Sequence, residues 1–380
     1  MKVAIRVDAS VEMGNGHLSR CLTLAAELRA QSDSLELLFI CREHEGHGME
    51  AVRKQGFTVV ALSEPVLIES ERQYELWLGA SQDLDASETV AAIDQHFNSN
   101  IDCLVVDHYG IDRQWHEVLR ARSRRLFVID DLADRQYDCD LLLEQTFAVS
   151  PARYRNLVGS NCKVLAGTKF AMLREEFQVL RDQIVSKRQS TARPTRIFVN
   201  MGGTDPQNWS ARIIDILAKR SDLEHVTLVV GGSNPHIAAL QQQTQKMNKV
   251  FLVVAADNMA ELMMNHDLAI GAAGSGTWER CALGLPSLLV VSEDNQQELA
   301  RQLKSELAVT VLHKDVSDQS IDAGLRPWLE SRECYQKAVA SCLDICDGKG
   351  AGRVSQYVTA LSLQNGPDTF VEVCSNDKQA

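Results

Sequence analysis

Residues 2–29, KVAIRVDASVEMGNGHLSRCLTLAAELR, decide the fold class. They open on an apolar run, Val3–Val7, that reads as a buried strand, and pass through a loop holding Gly14 and Gly16. From His17 to Arg29 the apolar residues Leu18, Cys21, Leu22, Ala25 and Leu28 recur at the i, i+3, i+4, i+7 spacing of an amphipathic helix. A strand, a glycine loop and a helix in immediate succession begin a βαβ unit, and the chain beyond repeats the alternation. Further strands are expected at Leu35–Ile40, Thr58–Leu62, Cys103–Val106, Leu126–Ile129 and Leu141–Leu143. Ser186–Arg196, basic and polar with Pro194, reads as an inter-domain linker.

After that linker, strands at Ile197–Met201, Val226–Val230, Val250–Val254, Leu268–Gly271 and Ser287–Val291 alternate with helices at Trp209–Leu217, Pro235–Met247, Met259–Asn265 and Thr277–Leu283. The expected fold is α/β, with two Rossmann-like domains over 1–190 and 191–334 whose parallel sheets face an inter-domain cleft. The helical stretch Tyr335–Leu363 is expected to pack back on the first domain, and 364–380 to form a frayed tail.

The chain has 380 residues, enough for a full core in each domain, and a formal net charge of -12. That balance argues against a nucleic-acid partner, which needs a basic footprint. It leaves room for a phosphorylated small molecule held by backbone N–H groups and one or two arginines. There is no run of 18 apolar residues and no signal-peptide pattern, so the expectation is a cytoplasmic protein with no membrane partner. Ten cysteines are scattered without a C-x-x-C pair and read as reduced, mostly buried thiols.

In such folds ligands bind at the carboxyl ends of strands. The run Arg6–Arg20, RVDASVEMGNGHLSR, carries Asp8, Gly14, Gly16, His17 and Arg20 at such an end. His17 falls at a helix N-terminus, where the dipole favours the neutral imidazole that a general base needs. Asp8 is a candidate to orient that ring or a water, and Arg20 to hold a phosphate or an acidic neighbour. A glycine turn with an exposed histidine is the plainer alternative.

In the second half, Gly202-Gly203-Thr204-Asp205-Pro206 follows a strand, with Asp205 a plausible N-cap and Pro206 suited to the first helical position. Gly274-Ser275-Gly276 follows another, with Glu279 in the next helical turn. Either loop can cradle a pyrophosphate, and Glu279 can accept ribose hydroxyls. Asn295 and Gln296, in the polar run Asp294–Gln297, close the next loop.

His108 and Tyr109 end a strand of the first half and are either cleft residues or core-edge residues. Asp130-Asp131 and the Asp138/Asp140 pair read as turn caps, since no third ligand completes a metal site. The remaining histidines, His44, His47, His96, His116, His225, His236, His266 and His313, read as surface or helix-end residues.

As a set, RVDAS, GNGHLSR, DHYGI, FAMLREEF, MGGTD, GGSNP and GAAGSGTWER resemble the UDP-2,4-diacetamido-2,4,6-trideoxy-β-L-altropyranose hydrolases of pseudaminic acid biosynthesis. The match runs in order from Lys2 to about Leu303. The family is similar in fold to the N-acetylglucosaminyltransferase of peptidoglycan synthesis, a GT-B architecture. The resemblance implies that His17 activates a water that expels UDP from the anomeric carbon with inversion, with no metal and no cofactor. It implies Tyr109 near the sugar, Arg174 on the substrate, Gly202–Asp205 and Gly274–Gly276 at the pyrophosphate, Glu279 at the ribose and Asn258 near the uracil. Some members carry Asn where this chain has Trp278. The implied partner is a UDP-linked diacetamido sugar, the implied product a free sugar destined for a nonulosonic acid of bacterial surface glycans, and the expected state a monomer. Two rival readings remain: a GT-B glycosyltransferase using a UDP-sugar donor, and a non-catalytic nucleotide-sugar-binding protein.

Overall fold

The computed structural model describes residues 1–66, 73–291, 296–303, 306, 308–312 and 317–363. The chain forms two compact units. Unit 1 is built from β1 (Lys2–Val7), α1 (Gly16–Gln31), β2 (Glu36–Arg42), α2 (Met49–Lys54), β3 (Thr58–Leu62), α3 (Gln73–Leu76), α4 (Gln82–Phe97), β4 (Cys103–Asp107), α5 (Arg113–Leu119), β5 (Leu126–Ile129), β6 (Leu141–Glu144) and β7 (Lys163–Ala166). Unit 2 comprises α6 (Glu175–Ser190), β8 (Arg196–Asn200), α7 (Trp209–Ala218), β9 (His225–Val230), α8 (Ile237–Thr244), β10 (Val250–Val254), α9 (Met259–Met264), β11 (Leu268–Ala272), α10 (Gly276–Ala282), β12 (Ser287–Val290), α11 (Gln297–Leu303), β13 (Val309–Leu312), α12 (Asp318–Glu330) and α13 (Arg332–Ile345). The chain then returns to unit 1 as α14 (Gly350–Leu363).

Each unit holds one sheet, with every named pairing parallel: β3-β2-β1-β4-β5-β6-β7 in unit 1 and β10-β9-β8-β11-β12-β13 in unit 2. Both are the doubly wound order, which reverses beside the first strand of each half. Central strands are covered on both faces, and so read as unbroken apolar runs. In β1, Val3, Ile5 and Val7 share a core with α1 and α14, while Ala4 faces the opposite core of Leu104, Ile93 and Trp115. Unit 2 packs Ile197, Val199 and Leu228 with α7, α12 and α13 residues such as Ile213, Leu325 and Val339.

Three expectations about organisation are corrected. The units divide between Met172 and Leu173, not at 190 and 191. Ser186–Ser190 is the last turn of α6, not linker. Its basic residues bind carbonyls at helix ends: buried Arg188 donates to Met263 O, Leu283 O and His266 O, and Lys187 to Met264 O. Finally, the stretch Tyr335–Leu363 is not one element. It breaks at 346–349, where Gly348 takes φ +76, and only α14 joins unit 1. Gly350 lets α14 start against the 170–171 backbone, because a Cβ there would lie 2.2 Å from Ala171 O.

His116, in the last turn of α5, and His266, just past α9, stand at helix ends as expected, but both are buried. His116 sits edge-on to Trp115 and near Tyr137, its ring nitrogens without a hydrogen-bond partner among the described residues. Burial pushes its pKa down to about 4, against about 6.5 in the unfolded chain. Between those values the unfolded state binds the proton and the folded state does not, so this share of stability is complete above about pH 6.5 and falls on acidification. His116→Phe should remove it, adding on the order of 1–2 kcal/mol at pH 5 and much less at pH 8. Thermal melts at the two pH values measure the difference.

Candidate active site

In unit 1 the strand order reverses between β1 and β4, and the residues gathered at their carboxyl ends are those of the first glycine loop and of 107–109. Val7 is in register with Asp107, so the end of one strand brings a carboxylate level with the other's loop. Gly14 takes φ +70, and the backbone turns there from Ser10, whose oxygens accept from Met13 N and Gly14 N, into α1. His17 is the second residue of α1.

The His17 ring is 11% exposed and its Nδ1 lies 2.6 Å from Asp107 Oδ1. Asp107 is fully buried and also accepts from Arg20, Nε to Oδ2 at 2.6 Å and Nη2 to Oδ1 at 2.7 Å. Burial alone would push its carboxyl up, but Arg20 and then His17 outweigh it and hold the group well below the usual carboxylate range. Arg20 Nη2 also lies 3.1 Å from Nδ1, but the closer, ionised Asp107 oxygen at 2.6 Å favours the tautomer that presents N–H there. The neutral imidazole therefore keeps its lone pair on Nε2. Arg20 spans further, from Nη1 to Asp131 Oδ2 at 2.7 Å, and Tyr109 OH donates to the same oxygen at 2.8 Å. Tyr109 also meets the His17 ring edge-on, centroids 4.5 Å apart. Burial and the Asp131 charge raise the Tyr109 hydroxyl well above its ordinary range, so it stays a neutral hydrogen-bonding group.

The structure thus brings His17, Arg20 and Tyr109 together, and adds Asp107 and Asp131, which sequence reasoning did not single out as site residues. Arg20 holds acidic neighbours, one of its two expected roles. Asp8 does not orient the His17 ring. It is buried directly after β1, accepts from Arg6 Nη1 and Arg42 N at 2.6 Å, and faces His108 Nε2 at 3.3 Å and His44 Nε2 at 3.6 Å. Burial opposes its ionisation, but Arg6 and then the two imidazoles hold its carboxyl low. His44 is accordingly not a surface residue, and His108 is tied inward, its Nδ1 accepting from Gly110 N. Asp130 caps a turn, accepting from Leu132 N and Ala133 N, and Asp138 and Asp140 both bind Arg120.

Unit 2 repeats the logic. Its order reverses between β8 and β11, and the two glycine loops follow those strands. Gly202 takes φ +95, and a Cβ on Gly202, Gly203 or Gly274 would meet nothing within 4 Å, so these backbones are open to a ligand. Gly231 must lack a side chain, since its Cβ would lie 2.4 Å from Gly203 O. α7 starts at Trp209, as its apolar run predicts, so Pro206 is not its first residue; Asn208 takes the N-cap position, and Asp205 caps from further off, its carboxylate accepting from Trp209 N and Ser210 N. Thr204 lies between Gly203 and this cap.

The second loop runs through Gly274 and Ser275 into Gly276, the first residue of α10. Arg280 braces it from beneath, donating to Ala272 O and Thr277 Oγ1, and it fits only because Gly271 has no Cβ. Arg174 binds Glu176 at 2.9 Å and lies 3.8 Å from Glu279. Burial pushes the Glu279 carboxyl up, with Arg174 opposing. Asn258 precedes α9 and donates to Glu261 Oε2 at 3.0 Å. Trp278 is buried. Gln296 directly precedes α11, while Asn295 and His313 lie outside the described residues. Among the described residues no group of three or more His, Cys, Asp or Glu side chains could hold a metal ion, and no helix is long and apolar enough to cross a membrane.

Two consecutive Rossmann-like units, each with its residues at the switch point of a parallel sheet, are the GT-B class of fold. MurG of Acinetobacter baumannii shares it at 13% identity, with 94% of this chain and 99% of that one aligned and a TM-score of 0.64. Residues 197–345 match the glycosyltransferase family 28 C-terminal domain. The chain is similar to the UDP-2,4-diacetamido-2,4,6-trideoxy-beta-L-altropyranose hydrolase of Campylobacter jejuni, 26% identical over 303 residues, which covers 80% of this chain and 96% of that one. The family resemblance carried by the motifs is therefore borne out. An uncharacterised protein of Methanocaldococcus jannaschii is 25% identical over 328 residues, 85% of this chain, and the chain spans 62% of that protein's length.

Proposed function

We propose that this chain is a metal-independent hydrolase that releases UDP from a UDP-2,4-diacetamido-2,4,6-trideoxy-hexose, in pseudaminic acid biosynthesis. The observation that carries the reading is the His17–Asp107 pair at the start of α1, with Arg20 keeping Asp107 ionised. Asp107 fixes Nδ1–H, so Nε2 takes a proton from water as the water oxygen bonds to the anomeric carbon. The bond from that carbon to the diphosphate oxygen breaks, UDP leaves with the electron pair, and the configuration inverts. Tyr109, its OH committed as donor to Asp131, offers a lone pair to the sugar.

Unit 2 has the second task. The open backbones of Gly202, Gly203 and Gly274–Gly276 suit the diphosphate and stabilise the charge that grows on it, with Glu279 and Arg174 for the nucleoside. The name of the Campylobacter relative supports the substrate class.

The match of 197–345 to a glycosyltransferase domain favours a second reading, in which an acceptor hydroxyl replaces water. One assay separates them: mass-spectrometric detection of UDP from a panel of UDP-diacetamido sugars, without acceptor and with chelator. The hydrolase reading expects UDP and free sugar in equal amounts. Release only with an acceptor, or only with a divalent cation, would overturn it.

A further inference from the structure

The His17 ring ends a row of aromatic side chains, Tyr109, Tyr74 and Trp77, of which the last two have no part in the hydrolysis proposed above. Tyr109 meets it edge-on. Trp77 lies nearly parallel to Tyr109, centroids 6.1 Å apart and planes 25° apart, and Tyr74 meets Trp77 at 4.8 Å and Tyr109 at 5.6 Å. Tyr74 and Trp77 are half-buried, and Leu76 beside them is 43% exposed. A base, its carboxylate and its arginine complete the proton chemistry, so these two rings have no role in it. They are also held in place. Trp77 Nε1 donates to Glu12 Oε1 at 3.1 Å, in the loop that leads to His17. Behind them Val66 N donates to Gly79 O at 2.7 Å, and a Cβ on Gly79 would lie 2.6 Å from Pro65.

We propose that Trp77 and Tyr74 form the sugar subsite, an aromatic wall that takes the apolar face of the pyranose and selects a deoxygenated, acetamido-bearing sugar over a hydroxylated one. The inference rests on the function proposed above and names what sets its specificity. A 2,4,6-trideoxy diacetamido hexose has a methyl at C6 and an acetamido group at C4, where UDP-N-acetylglucosamine has a hydroxymethyl and a hydroxyl. Fixed aromatic rings offer large rigid area to such groups at little ordering cost. A hydroxymethyl laid against the same wall loses water without gaining a partner. A difference of one such group is worth roughly 10–200-fold in discrimination.

The test compares wild type with Trp77→Ala, Trp77→Phe and Tyr74→Ala, using the UDP-diacetamido-trideoxy sugar and UDP-N-acetylglucosamine as substrates. Trp77→Ala should raise KM for the first about 30-fold with kcat within threefold, leave the inhibition constant of UDP within twofold, and narrow the preference over UDP-N-acetylglucosamine. Trp77→Phe should restore most of the loss. An unchanged KM with the wild type active overturns the wall and leaves the hydrolase reading intact. If the wild type releases no UDP, the hydrolase reading fails and the wall is judged by binding. Calorimetry then compares the UDP-sugar with UDP in wild type and in Tyr74→Ala, a milder change should Trp77→Ala fail to fold. The wall stands if the sugar's contribution to affinity falls at least fivefold, and is overturned if it does not change.

Discussion

Replacing His17 by Asn is expected to lower UDP release by a factor of about 10²–10⁴, the usual contribution of a positioned general base, while UDP affinity stays within a few-fold. The two effects belong to different units. Asn has no basic nitrogen, so the proton of the attacking water has no acceptor at the position of Nε2. The groups assigned to the nucleotide, Gly202–Thr204, Gly274–Gly276, Arg174 and Glu279, all belong to the other unit and are untouched. Steady-state rates with the UDP-sugar and calorimetry with UDP measure the two quantities. Turnover within tenfold of wild type would remove His17 from the chemistry.

Asp107→Asn is expected to cost nearly as much, about 10²–10³ in kcat, because the buried carboxylate positions the His17 ring. The side chain now serves His17 Nδ1 and Arg20, with the Cys21 thiol a third, longer donor to Oδ2. An amide has one acceptor oxygen. If that oxygen faces Arg20, the NH₂ faces Nδ1, the ring must move its proton to Nε2, and the base is lost. The alternative leaves a donor opposed to the guanidinium. Stability should fall too, by roughly 1–3 kcal/mol, since a buried charge pair is broken from one side while Asp131 still holds Arg20. A merely structural role would lower the melting temperature and leave kcat near wild type at temperatures where the variant is folded.

The pH dependence has a definite sign. Because the folded carboxyl titrates well below its unfolded value near 4, its contribution is present above about pH 4 and is lost as the pH falls toward the folded value. The variant should therefore lose less stability than wild type on acidification below pH 4.

Much of the frame was legible because it rests on local periodicity. β3, β5 and β10 fall where their apolar runs predict, and α1 exceeds its predicted span by one or two residues at each end. No element was expected between 292 and 334, where the structure adds α11, β13 and α12. The last carries Pro327 inside the helix, and a proline discourages a helical reading. The basic run at 186–190 looked like linker because composition cannot report that Arg188 finds three buried carbonyls.

At the site, the chain alone determined which residues follow strands, and that put His17, Arg20 and Tyr109 in one neighbourhood, since parallel strands open their carboxyl ends to the same edge. It could not determine which carboxylate meets which base. Asp8 is nine residues from His17 and Asp107 is ninety, yet only Asp107 reaches the ring, because β1 and β4 are adjacent in register while Asp8 is drawn inward by Arg6. Nearness along the chain is a poor guide once side chains alternate between the faces of a sheet and compete for buried charges. Partner choice among ionised groups was settled by packing, and so only by the tertiary structure.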